Sequence, residues 1–73
     1  VKYEIVIMGM NLYRVEYGFM APSGNLVYTL ARLADLHSGS ETEALAWVKQ
    51  RENGNWRRYG EGVEVVILKV SRA

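Results

Sequence analysis

Cysteine is absent from the 73 residues, and histidine and proline occur once each. No disulfide can staple the chain and no thiolate can hold a metal. The lone His37 leaves a zinc site to be furnished almost wholly by carboxylates, so neither a metal nor a cofactor is expected. Net charge is only +1, from nine basic and eight acidic residues. So small an excess exerts no long-range pull on nucleic acid or on an anionic membrane. No apolar run reaches the roughly 20 residues of a membrane-spanning helix, and no charged-then-apolar segment marks a signal peptide. With cysteine also missing, the cytoplasm is the expected compartment. Patterns for phosphate cradles, dinucleotide binding, zinc proteases and nucleophile elbows are missing too. The chain is therefore not expected to be an enzyme.

What is present is apolar and aromatic. The hydrophobic fraction is 49%, with five Tyr, two Trp and one Phe. This is the composition of a folded domain, and the length allows one, spanning 1–73. A chain of this size buries only about 60% of the surface its unfolded form exposes. Without staples it needs a dense core or an association with a partner.

Lys2 to Met8, KYEIVIM, is β-branched and aromatic and stops at Gly9, which predicts a strand. Leu12 to Met20 alternates Tyr13, Val15, Tyr17 and Phe19 with Leu12, Arg14, Glu16 and Gly18, a strand with one buried face. The short turn 9–11 would join these two as a hairpin. Ala21 to Gly24 reads as a turn. Over 25–37 the spacing of Leu26, Leu30, Leu33 and His37 favours a helix capped by Asn25 and stopped by Gly39; a third strand is the alternative. Ser40 to Asn53 is a second helix. Ser40 and Glu43 have the spacing of a capping box, Lys49 and Arg51 suit its last turn, and Asn53-Gly54 is a stop. Gly62 to Val70 is a final strand, with Val63, Val65 and Ile67 on one face and Val66, Leu68 and Val70 on the other. Apolar residues on both faces place it centrally in the sheet. The expected fold is α+β: a small mixed or antiparallel sheet of three to four strands, with one or two helices packed on one face.

Two stretches raise the question of chemistry. Asp35-Leu36-His37-Ser38 offers a carboxylate, an imidazole and a hydroxyl, but neighbours along a chain seldom converge as a triad requires. The plainer reading is a helix end, with His37 near free carbonyls. Trp56-Arg57-Arg58-Tyr59 is richer. Its rings suit a lid over the end of the core, with the arginines in water. They also suit a protein contact surface, or a site where bases of a single strand stack. If 55–59 extends the last strand, Trp56 and Tyr59 fall on opposite faces and form no common platform.

One helix cannot cover both faces of a sheet whose strands are apolar on both sides, so apolar sheet surface is left over. The expected function is that of a small non-enzymatic protein-binding module, a regulatory or accessory protein. Its partner would be another protein or a second copy in a twofold dimer. The expected contact residues are Val6, Met8, Leu12 and Met20 on the uncovered face, with Trp56, Arg57, Arg58 and Tyr59 in the loop. The alternative is RNA or single-stranded DNA binding through Trp56 to Tyr59, which the near-neutral charge disfavours.

Overall fold

The computed structural model describes residues 11–73. Strand β1 (Leu12–Met20) is followed by β2 (Leu26–Asp35), helix α1 (Glu41–Glu52), a 3-10 turn (Asn55–Tyr59) and β3 (Glu64–Arg72). The strands form one antiparallel sheet in the order β2-β1-β3, with α1 on one face. The α+β architecture expected from the sequence is the one observed. The strand expected over 2–8 and its hairpin turn lie outside the described residues, as do Val6 and Met8.

β1 is the centre of the sheet because it is the strand with the cleanest alternation. Val15, Tyr17 and Phe19 point under the helix and are all but inaccessible to water, while Leu12, Arg14 and Glu16 face the other way. The helix supplies Ala44, Val48 and Glu52 to the same core, a stripe at four-residue spacing. Complete burial of Val15, Phe19 and Val48 is worth about 1.5–3 kcal/mol each. Leu45, Trp47 and Trp56 close the margins.

Residues 26–35 are a strand, not the helix that their leucine spacing favours. Every residue of β2 but Val27 pairs with β1, from Leu12 opposite Asp35 to Met20 opposite Leu26. The turn Ala21–Asn25 closes this hairpin, with the Gly24 amide donating to Ala21 and the Ala21 amide to Asn25. β2 is only half covered, so neither of its faces had to be strictly polar, and the alternation that marks a strand is blurred. The register shifts between Phe19 and Met20, which leaves Val27 as an extra residue. This bend brings β2 down on Gly18. A Cβ there would stand 2.8 Å from the Tyr28 carbonyl oxygen and 3.0 Å from Leu26 Cδ2.

The apolar residues on both faces of β3 argue for the centre; among the described residues it pairs with β1, and the strand expected over 2–8 lies outside them. A bulge explains the pattern. The register skips Leu68, pairing Tyr17 with Ile67 and Glu16 with Lys69. Val65, Ile67 and Val70 thereby share the helix side, and Leu68 is left on the open side, 46% exposed. The expected grouping of Val66, Leu68 and Val70 on one face is broken by that extra residue.

The connection from β2 to α1 is held by one carboxylate. The Ser40 hydroxyl accepts from the Glu43 amide at 3.1 Å, as a capping box requires. Glu43 does not return the bond to the Ser40 amide. Its carboxylate instead accepts from the amides of His37 (2.6 Å), Ser38 (2.7 Å) and Gly39 (3.1 Å). These bonds, the His37 amide first, hold its pKa down at about 2. His37 thus sits between a strand and a helix, not at the end of a helix, and its side chain is exposed. At the other end α1 stops where Asn53 turns left-handed (φ 51°), followed by Gly54 in the same region.

Candidate functional site

Residues 55–59 do not extend β3. They form a 3-10 turn, with the Arg57 amide donating to Gly54 at 3.0 Å. The turn still parts the two rings: Trp56 borders the β3 side and Tyr59 the β2 side, so they form no common platform. Trp56 is half-buried against the core. The Tyr59 ring packs on Phe19 and lies parallel to Tyr28, with ring centres 5.8 Å apart and an angle of 16°. Arg57 and Arg58 are exposed, and the Arg57 guanidinium lies 5.5 Å from the Trp56 ring centre.

Beside this turn the helix side of β2 is open. α1 packs chiefly against β3, which leaves a cleft of about 200 Å3 between β2 and the C-terminal end of the helix. Its walls are Tyr28, Leu30, Tyr59 and Phe19, and its polar groups come from Arg32, Glu52, Asn55 and Arg58. The floor is a small polar network. The Tyr17 hydroxyl donates to the buried Glu52 carboxylate. Arg32 Nε donates to the same hydroxyl at 3.1 Å and lies 3.7 Å from Glu52 Oε2. Burial, then the Glu52 bond, push the Tyr17 pKa up to about 12, so the ring stays protonated. The Tyr17 bond holds Arg32 in its charged form. A buried acid is tolerated here because a hydroxyl and a guanidinium satisfy it. No short motif signals this trio: Tyr17 and Glu52 are 35 residues apart.

A larger hollow of about 640 Å3 lies on the β3 side, between Leu45, Lys49, Trp56, Arg57 and the loop Gly60 to Val63. It is broad, and Lys49, Arg57 and Glu61 are exposed along it. Among the described residues no cluster of three or more His, Asp or Glu is arranged to hold a metal ion. Asp35 accepts from the Asn11 amide at 3.1 Å and the Glu43 carboxylate is occupied by the linker, so Asp35, His37 and Ser38 form no relay.

The structure divides the expected contact residues between two surfaces. Leu12 and Met20 lie at opposite ends of β1 on the open face, about 26 Å apart at the rise of a strand. Trp56 to Tyr59 lie on the helix side. The open face itself is mixed: Leu12, Leu33 and Leu68 are exposed around an Arg14–Glu16 ion pair of 2.5 Å. Tyr28, Arg32 and Glu52 complete the helix-side cleft and were not expected. For Tyr28 the one available signal was its place in the run Leu-Val-Tyr-Thr, which suits a strand.

The described residues thus form a three-stranded antiparallel sheet with one helix, bearing an aromatic and arginine-lined cleft beside β2. Comparison with protein-family models, with curated proteins and with solved structures finds no match. No helix among the described residues is long and apolar enough to cross a membrane.

Proposed function

We propose that this chain is a non-enzymatic protein-binding module that works by contact, with its partner seated along the outer edge of β2. One observation carries the reading. Among the described residues β2 is a ten-residue edge strand, and it exposes Leu26, Val27, Tyr28 and Leu33. Folded proteins normally blunt such edges with proline, charge or short length, because an unpaired strand recruits another. Strand addition is a common mode of peptide and subunit recognition, and either another protein or a second copy satisfies it. A reducing compartment suits a chain without cysteine.

A second reading, single-stranded nucleic acid, is supported by the Tyr28–Tyr59 stack with Arg58 beside it. Affinity capture from a lysate of the source cells separates the two. The protein is compared with a variant carrying Val27→Lys and Leu33→Lys, with and without nuclease. Capture that survives nuclease and moderate salt but fails in the variant supports protein binding. Capture abolished by nuclease, with a steep loss as salt rises, replaces it with the nucleic-acid reading.

A further inference from the structure

We infer that the edge of β2 receives an extended segment of a different protein, and that this segment places a carboxylate side chain opposite Arg32. The inference rests on the protein-binding reading and names the chemistry of the partner.

Three features define the fit. Among the described residues β2 pairs with β1 alone, and none of them takes up the backbone groups of its other edge. The cleft lies on the helix side of that edge, where α1 leaves the sheet uncovered. A residue directly across an added strand has its Cβ about 5 Å from that of its partner, within reach of the Arg32 head.

Charge then selects the side chain. Arg32 spends its Nε hydrogen on Tyr17 and stands near Glu52. A guanidinium has five donors, and no acceptor meets the terminal nitrogens of Arg32 among the described residues. That free end is a planar fork, the geometry that takes a carboxylate through two bonds. Arg58 borders the same cleft. The nearby acid, Glu52, is already engaged by Tyr17. The cleft thus offers two cations against one occupied anion. A lysine there would meet two like charges, and an amide would form weaker bonds. Tyr28 and Tyr59 supply a flat apolar wall for a side chain on the same face, four residues along.

A second copy fits poorly. When two strands pair, residues of like face stay together. The face of β2 that carries Arg32 carries Tyr28, Leu30 and Ala34 besides, and no acid. Asp35 belongs to the opposite face, across from Leu12. Every in-face register of β2 on itself therefore leaves Arg32 without a carboxylate.

The test uses the full chain and labelled, end-capped nonapeptides of alternating Thr and Val whose central residue is Glu, Gln or Lys. Binding is read by fluorescence anisotropy and by backbone amide shifts. The Glu peptide should bind about tenfold more tightly than the Gln peptide, with Lys weakest. Shifts should alternate along Leu26 to Asp35, and N-methylation of one peptide edge should abolish binding. Arg32→Gln should erase most of the preference for Glu while leaving the Gln peptide unchanged in any preparation that folds, and Arg58→Gln should reduce that preference only in part. Equal binding of the three peptides overturns the inference. So do shifts confined to other surfaces, or micromolar self-association that protects the β2 amides without peptide. If no peptide binds while the lysate capture still yields an edge-dependent protein partner, the inference fails and the functional reading stands. If that capture is empty too, both fail.

Discussion

Removing the Tyr17 hydroxyl tests how this small core tolerates a buried acid. In Tyr17→Phe the ring still fills its place between Phe19 and the helix, but Glu52 loses its buried donor and keeps only Arg32 at 3.7 Å. A hydrogen bond to a charged group is worth about 1.5–3 kcal/mol. Arg32 is well exposed and its attraction to Glu52 is screened, so it offsets little of the loss. For 73 residues total stability is about 4–11 kcal/mol, and a deficit of about 2 kcal/mol is a large share. In urea, with a slope of about 1 kcal/mol per molar, the midpoint should fall by about 2 M. Glu52→Leu should cost about 1–3 kcal/mol by stranding the hydroxyl. The double variant removes both partners and should be no worse than either single change, a coupling of at least about 1.5 kcal/mol. Additivity within about 0.5 kcal/mol would refute the network as a source of stability.

Titration followed by tyrosinate absorbance should show one ring ionising last. Tyr17, pushed up to about 12, adds stability that is complete below pH 10 and lost as pH rises through 12; Tyr17→Phe should remove that last step. Glu43, held at about 2, contributes above its ordinary range near 4.5 and loses the contribution as pH falls through 2. Glu43→Gln should therefore speed hydrogen exchange at the His37, Ser38 and Gly39 amides at neutral pH. Gly18→Ala should cost about 1–3 kcal/mol in thermal melts, because the crowding atom is a backbone oxygen that cannot step aside; a change within about 0.5 kcal/mol would refute that crowding. Trp56→Ala should cost about 2 kcal/mol, less than the ~3–5 of a fully buried ring, while Arg57→Ala with Arg58→Ala stays within about 1 kcal/mol.

Local signals were the legible ones. The alternation of Tyr13 to Phe19 and the Ser40–Glu43 spacing place β1 and α1 with the bounds observed, to within a residue. β3 lies two residues later than its apolar run suggests, because the run counts Val63 and ends before Ser71 joins the ladder opposite Arg14. The leucine spacing of β2 suits a helix because pairing with β1, and not its own pattern, makes it a strand. The bulge at Leu68 is invisible in a list of valines and leucines, so strict alternation groups Val70 with the wrong face. Of the cleft, Arg58 and Tyr59 could be singled out as a surface, since rings and guanidinium groups cluster there. Tyr28, Arg32 and Glu52 could not, because topology alone brings β2 and the end of α1 together.

The central strand has one neighbour close in sequence and one far away. Met20 pairs with Leu26 in one direction and with Glu64 in the other. Closing the longer loop costs about 2 kcal/mol more chain entropy than closing the shorter. The β1–β2 hairpin should accordingly form early in folding, and the arrival of β3 with the helix should be the slow step. Substitutions in the 21–25 turn should then tell in the folding arm of a chevron plot, because the hairpin is already formed in the transition state, and those at Val65 or Ile67 should tell there in proportion to how far β3 has docked. Until β3 arrives, the β1 edge that it covers is unpaired, and the face that carries Val15, Tyr17 and Phe19 lacks its helix. The refolding intermediate, more than the native molecule, is where this chain is exposed to aggregation, and low protein concentration is the condition that should raise its refolding yield.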